Sequence, residues 1–81
     1  MTQDDVLTAF TTTLRDLIGD DSITLTMETK RETVPGWDSF NYINFITAVE
    51  MDFGVKFKVA EVESFENVGA IVKQTKKLLG E

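Results

Sequence analysis

The chain of 81 residues contains no cysteine and no histidine, and 42% of its residues are hydrophobic. A chain of this length can build only one core, and the two missing residue types exclude disulfides, Cys/His zinc sites and nucleophilic catalysis of the Ser-His or Cys-His type. Fourteen acidic and eight basic residues give a net charge of −6, which disfavours nucleic acid as a ligand and favours basic partner proteins.

The chain has neither a predicted membrane segment nor a predicted signal peptide. No apolar run approaches the ~20 residues that span a bilayer, and the first residues, Met1 to Asp5, are acidic and lack an apolar segment. We therefore expect a single cytoplasmic domain over residues 1–81, without internal repeats and monomeric.

The first segment is predicted to be a helix over residues 3–18. Its apolar side chains recur at helical spacing, and they are Val6, Leu7, Phe10, Leu14, Leu17 and Ile18. Asp4 and Asp5 suit the positive end of the helix dipole, and Gly19 is a suitable residue for the C-terminal cap.

Residues 19–38 are predicted to form a long loop. Ile23, Leu25 and Met27 alternate with polar residues as in a strand, but a lone strand is not stable. We therefore expect these apolar side chains to cover the core from a loop that ends at Pro35-Gly36.

Three further helices are predicted after the loop. The second helix covers residues 39–53 and ends at Gly54, and its apolar stripe is Phe40, Ile43, Phe45, Ile46, Val49 and Phe53. A short third helix covers residues 59–65, and a last helix covers residues 67–79, with Asn67 as its cap. The expected fold class is thus all-α, a bundle of three longer helices and one short helix with a long first loop.

The start of the second helix is the strongest candidate for a functional site. The segment from Thr33 to Val55 has three acids and no lysine or arginine. A hydroxyl at Ser39 would stand at the positive end of the helix dipole beside free N–H groups, which suits a phosphate ester. On the residues Gly36 to Phe40 alone, however, the simpler interpretation is that Asp38 or Ser39 only caps the helix.

The wider series of residues resembles the acyl carrier protein family. Gly36-Trp37-Asp38-Ser39-Phe40 is similar to the family's Gly-x-Asp-Ser-Leu, with Phe40 in place of leucine. The segment from Glu50 to Val55 resembles the family's acidic helix ending, and the segment from Phe65 to Ile71 resembles the start of its last helix. The resemblance covers essentially the whole chain and implies the family's four-helix bundle.

The resemblance also implies a function. In the family, the matching serine carries a covalent 4′-phosphopantetheine, whose thiol would supply the sulfur that this chain lacks. Ser39 would then be the attachment site, framed by Gly36, Asp38 and Phe40, and Asp38 would help a phosphopantetheinyl transferase to recognise or ligate its metal. The protein itself would be neither an enzyme nor a metal-binding protein. It would present an acyl thioester to acyl-loading and acyl-processing enzymes.

The second helix departs from the family pattern in charge. Asn41 and Asn44 are neutral where the family usually carries acids, and Met51 follows Glu50 where another acid is usual. Since charge sets partner choice, we expect a carrier for a specialised lipid or secondary-metabolite pathway rather than for fatty acid synthesis. The residues expected to contact partners are Trp37, Asn41, Tyr42, Asn44, Thr47, Glu50 and Met51.

Several alternatives stay open at this point. The chain could instead be an aminoacyl or peptidyl carrier of nonribosomal type, an unmodified helical interaction module, or an enzyme with Ser39 as nucleophile, for which no nearby base is evident. Trp37 could serve an interface or cover the edge of the core. A set of apolar residues could line an acyl pocket, although plain core is favoured: Phe40, Phe45, Ile46 and Val49. The acids Asp16, Asp20 and Asp21 lack the spacing of a calcium loop and are read as a solvated face.

Overall fold

The computed structural model describes all residues from 1 to 81 and is all-α, which confirms the expected fold class. Four α-helices follow one another along the chain: α1 (Gln3–Ile18), α2 (Ser39–Phe53), α3 (Val59–Ser64) and α4 (Val68–Leu78). α1 and α2 have the bounds expected from the sequence. α3 is one residue shorter at its end, and α4 is one residue shorter at each end. None of these helices combines the length and apolar character needed to cross a bilayer.

The ends of α1 are fixed by local hydrogen bonds. The Thr2 hydroxyl accepts from the Asp5 N–H at 3.1 Å, and the Asp5 carboxylate accepts from the Thr2 N–H at 3.0 Å. This reciprocal pair satisfies two of the N–H groups that a helix start leaves without partners. At the other end Gly19 adopts the left-handed conformation, and its N–H donates to the Arg15 carbonyl.

The core is built mainly by α1, α2 and α4. Phe10 of α1 lies edge-on to Phe45 and Phe53 of α2, with ring centroids 5.3 and 5.9 Å apart, a geometry that adds about 0.5–1.5 kcal/mol per pair beyond burial. α3 contributes no buried residue. The thirteen buried apolar residues are Val6, Phe10, Leu14, Ile23, Leu25, Trp37, Phe45, Ile46, Val49, Phe57, Val68, Ile71 and Val72.

The long loop packs on the core as its apolar residues predicted, with Ile23 and Leu25 buried. The loop also caps α4, a feature that the sequence did not indicate. The carbonyls of Thr29 and Met27 each accept an N–H from the first turn of α4, at 2.8 Å. The approach is so close that a Cβ at Gly69 would lie 2.6 Å from the Met27 carbonyl oxygen. Further along the loop, residues Arg31–Thr33 form a 3₁₀ turn that was not predicted.

The predicted apolar stripe of α2 is wrong at its outer residues. On α2, Phe40 and Ile43 are 75% and 55% exposed, because the helix buries the side that carries Phe45, Ile46 and Val49. On α3, Val59 is 74% exposed, since this short helix lies at the edge of the bundle. A buried polar residue was missed on α4: Thr75 is enclosed, and its hydroxyl donates to the Ile71 carbonyl.

Candidate functional site

A tight turn delivers the chain to the start of α2. The Trp37 N–H donates to the Val34 carbonyl at 3.2 Å, with Pro35 and Gly36 at the two central positions, and the positive φ of 86° at Gly36 is typical of a type II turn. A Cβ at Gly36 would lie 2.9 Å from Cγ2 of Ile18. Glycine is therefore required here both by the backbone conformation and by the close contact with the end of α1.

Trp37 fixes this turn to the core. Its side chain is only 4% exposed, and its ring lies 5.2 Å from Phe45 and 6.2 Å from Tyr42, measured between centroids. Of the two roles that the sequence left open, the structure therefore gives Trp37 a position in the core, where little of the ring can touch a partner. The anchor lies two residues before Ser39, so it holds the following residues at the surface.

Asp38, not Ser39, is the N-cap of α2. The Asp38 carboxylate accepts the Asn41 N–H at 2.8 Å, and the Asn41 side-chain amide donates to the Gly36 carbonyl at 2.8 Å. These two bonds tie the first turn of α2 to the preceding turn. The side-chain amide of Asn41, a residue predicted to contact partners, therefore already makes one hydrogen bond within the chain.

Ser39 is the first residue of α2 and is exposed. Its hydroxyl makes no hydrogen bond within the chain, and the N–H groups of Ser39 and Phe40 have no acceptor. Unpaired N–H groups at the positive end of a helix stabilise negative charge. The site therefore fits a phosphate ester on Ser39: the oxygen is accessible, and the adjoining N–H groups can face phosphate oxygens.

The outward side of α2 is neutral and partly apolar. Phe40 and Met51 are 75% and 78% exposed, and Asn44 and Thr47 lie between them in sequence, half-buried and exposed respectively. α2 contains only two acids, and both accept hydrogen bonds: Glu50 from the Phe57 N–H at 2.8 Å, and Asp52 from the Thr13 hydroxyl at 3.5 Å. The protein's negative charge is concentrated on other segments.

An open groove of about 250 Å³ lies between α2 and the segment that contains α3. Of the four residues considered for an acyl pocket, only Ile46 lines it; Phe45 and Val49 are core, and Phe40 is on the surface. The sequence missed most of the lining, because it could not show which side of α3 would face α2. The lining residues are Ile43, Ile46, Thr47, Glu50, Lys56, Phe57, Val59 and Val62.

Tyr42 joins α2 to α3. Its hydroxyl donates to the Val62 carbonyl at 2.6 Å, and the Arg31 guanidinium lies 5.0 Å from the centre of its ring. Partial burial raises the pKa of the Tyr42 phenol above its ordinary value of about 10, against a smaller lowering by the Arg31 charge. Tyr42, expected to contact partners, is thus half-buried and holds two helices together.

Similarity to known proteins agrees with this geometry. No protein-family model matches the chain, and no curated protein matches it. Among solved structures, the solution NMR structure of a holo acyl carrier protein from Geobacter metallireducens matches 93% of this chain and 86% of its own, with a TM-score of 0.85 and 35% sequence identity. The fold is that of a carrier protein. The chain belongs to the acyl carrier protein family, as its sequence indicated.

The close contact between Gly36 and Ile18 yields a stability prediction, for which Gly54 at the end of α2 serves as the control. Gly54→Ala, where φ is 65° and nothing lies within 4 Å of the new Cβ, is expected to lower the free energy of unfolding by about 1 kcal/mol through backbone strain alone. Gly36→Ala should lower it by about 2–4 kcal/mol, because overpacking against Ile18 adds about 1–3 kcal/mol. Urea denaturation of the two variants measures both values, and equal losses would contradict the proposed contact.

The Tyr42 contact predicts a pH-dependent difference in stability. Since the folded pKa is raised, the tyrosine stabilises the fold fully below about pH 10, and this contribution is lost as the pH rises through the folded pKa. The free energy of unfolding of Tyr42→Phe should therefore be about 1 kcal/mol lower than that of the wild type at neutral pH. This difference between the two proteins should become smaller at alkaline pH.

Urea denaturation across the alkaline range, with absorbance titration of this sole tyrosine, tests the expectation. A stability gap that stays constant throughout would show that the phenol does not titrate from a buried hydrogen bond.

Proposed function

We propose that the protein carries acyl intermediates as thioesters on a 4′-phosphopantetheine attached to Ser39. The observation that carries the proposal is the state of Ser39: an exposed hydroxyl without a hydrogen bond, at the first position of a helix with two unpaired N–H groups. The holo form of the Geobacter neighbour adds support. The proposal includes a monomer that works in the cytoplasm, where coenzyme A is available.

The attachment reaction requires little from this chain beyond access. The Ser39 hydroxyl oxygen would attack the β-phosphorus of coenzyme A in the transferase active site, 3′,5′-ADP would leave, and the hydroxyl proton would pass to a base of the transferase. When bound, the group supplies the thiol on which acyl chemistry takes place. Asp38 keeps the serine outside the core by capping the helix, and the acyl-loading and acyl-processing enzymes would then act on the thioester.

Replacing the serine tests the attachment. Incubation with coenzyme A and a broad-specificity phosphopantetheinyl transferase should add one phosphopantetheinyl group to wild type and none to Ser39→Ala, as measured by intact-protein mass spectrometry. Because Asp38 is the cap and the Ser39 hydroxyl is unbonded, Ser39→Ala should change the stability by less than about 0.5 kcal/mol.

Ser22→Ala provides a matched control, since Ser22 is also exposed but its hydroxyl donates to Asp20 at 2.6 Å. It should be modified as fully as wild type. An unmodified wild type would instead favour a helical interaction module that never carries the group.

We also propose that the partners of this carrier belong to a specialised lipid or secondary-metabolite pathway. A basic docking surface gains little from an α2 whose outward side is neutral and whose only two acids, Glu50 and Asp52, lie in its last turn, far from Ser39. The surface that fits α2 is itself largely uncharged, with an apolar contact for Phe40 next to the attachment site and another for Met51 near the far end of the helix. The binding of such a partner should depend weakly on salt.

Charge substitutions on α2 test this partner class. Wild type should bind a fatty-acid-synthesis enzyme that has a basic carrier-docking surface weakly, whereas Asn44→Glu/Met51→Glu should bind it about tenfold more tightly at low salt and lose the gain at high salt. Surface plasmon resonance at several salt concentrations provides the measurement.

The control variant Thr8→Glu/Thr12→Glu adds the same charge at exposed positions of α1. It should leave binding close to the wild-type value. Tight and strongly salt-dependent binding of the wild type would count against the specialised partner set.

A further inference from the structure

The last helix carries a local charge opposite to that of the chain. From Asn67 to Gly80 the sequence has three lysines, Lys73, Lys76 and Lys77, and no acidic residue, although the whole chain has a net charge of −6. Lys73 and Lys77 are exposed, and Lys76 is half-buried. Since residues three and four apart are neighbours on a helix, the three lysines form one surface, the lysine face of α4.

The lysines of this face have no acidic partner. The only ion pair of the structure joins the Met1 amino group to Glu81. Lys73 stands three residues before Lys76 and four before Lys77, and like charges at this spacing repel each other and destabilise a helix. Lys76 and Lys77 suit the carbonyl end of α4, but Lys73 lies before the last turn. The helix therefore retains a repulsion that an anionic ligand would relieve.

Two acids near the lysine face already have other partners. Glu61 of α3 accepts from the side-chain amide of Gln74, and its other oxygen accepts from the Lys58 N–H. Glu81, which follows α4, holds the Met1 amino group. Since neither carboxylate forms an ion pair with a lysine, an acidic group that neutralises the face has to come from another molecule.

The lysine face and the proposed attachment site lie at opposite ends of the bundle. The close approach of Gly36 to Ile18 places the start of α2 at the end of α1. The ion pair of Met1 with Glu81 places the end of α4 at the start of α1. Because α1 has 16 residues, these two ends are separated by about 24 Å. A protein bound at the lysine face therefore leaves Ser39 accessible to an enzyme.

The occupant that fits the face best is an acidic segment of a partner protein. Aspartate and glutamate side chains can pair with the lysines in a contact small enough to avoid the acids of the other helices. An anionic membrane fits less well, because its extended surface also meets the net charge of −6. Clusters that bind anionic lipids usually have about four to eight cations, more than this face provides.

We propose that the lysine face of α4 is a docking surface for an acidic segment of a partner protein, which binds while α2 and Ser39 are engaged by an enzyme. The inference goes beyond the carrier function and does not require the arm. The two surfaces differ in their electrostatics: binding at α2 depends weakly on salt, whereas binding at the lysine face depends strongly on it. The face would hold the carrier beside its partner without covering the attachment site.

NMR titration with a defined acidic peptide tests the proposal. The probe is a short peptide of glutamate and alanine, and the same peptide with glutamine in place of glutamate is the neutral control. At low salt the acidic peptide should shift the amide resonances of residues 70–79 and leave those of residues 39–47 unchanged. The neutral peptide should shift neither set, and added salt should weaken the binding of the acidic one. Absence of shifts, or shifts centred on α2, would overturn the proposal.

Matched lysine substitutions separate the lysine face from the net charge. Lys73→Gln/Lys77→Gln should weaken the binding of the acidic peptide about fivefold at low salt, as the loss of two exposed ion pairs predicts. Lys30→Gln/Lys56→Gln removes the same charge at exposed positions outside α4 and should bind like the wild type. Glutamine is a good helix former, and the spectra of the free variants verify their fold. Equal losses in the two variants would show that only net charge matters and would overturn the proposed face.

Further measurements identify the occupant. Vesicles of phosphatidylglycerol and phosphatidylcholine should leave the protein in the supernatant after sedimentation, and co-sedimentation that requires Lys73 and Lys77 would overturn the protein partner in favour of a membrane. Shifts of α4 resonances that grow with protein concentration, without peptide, would overturn it in favour of a second copy of the chain. Ser39→Ala should bind the acidic peptide like the wild type, so a failure to accept the arm would overturn the attachment at Ser39 and leave the lysine face unaffected.

Discussion

The burial of Trp37 is the constraint on which the functional site depends. Its ring packs on Phe45, so Trp37 cannot leave the core without opening the bundle. The chain position just before the Asp38 cap is therefore fixed. The Gly36 turn, closed against Ile18, brings the chain to this anchor. The result is a serine that is exposed yet fixed in position, as the proposed attachment of a prosthetic group requires.

The negative charge of this small protein is distributed unevenly along the chain. The acids of the sequence lie mainly in α1, the first loop and the α3 region, whereas α2 carries only Glu50 and Asp52. Glu50 accepts a backbone N–H of the α2–α3 connection, so one of these acids stabilises the fold. A net charge of −6 therefore does not make the outward side of α2 acidic, and overall acidity is a poor guide to the partners of this helix.

Much of the architecture could be predicted from the sequence because local signals agreed with each other. Gly19 and Gly54 end their helices where the apolar periodicity stops. The exposure of Phe40 and Ile43 could not be predicted, because it depends on which side of α2 meets α1. A helix of six residues such as α3 has too few apolar positions to define a face.

The site was predictable only to the level of its motif. The pattern around Ser39 indicated the proposed attachment point. Asp38 and Ser39 are equally good caps by type, however, and only the structure shows that Asp38 takes this role. The hydrogen bond from Tyr42 to Val62 joins residues 20 positions apart. The spacing of apolar residues along the sequence cannot predict such a contact. A small cavity lined by Arg31, Trp37 and Ile71, among others, is likewise formed by segments that are distant in sequence.

The capping of α4 by the long loop has a consequence for how the protein opens. The carbonyls of Met27 and Thr29 hold the first N–H groups of α4, in the way that a side-chain cap does elsewhere. The loop therefore cannot lift as an independent flap: its departure would also expose the amides at the start of α4. Loop and helix form one cooperative unit, and partial unfolding at this end of the bundle involves both segments together.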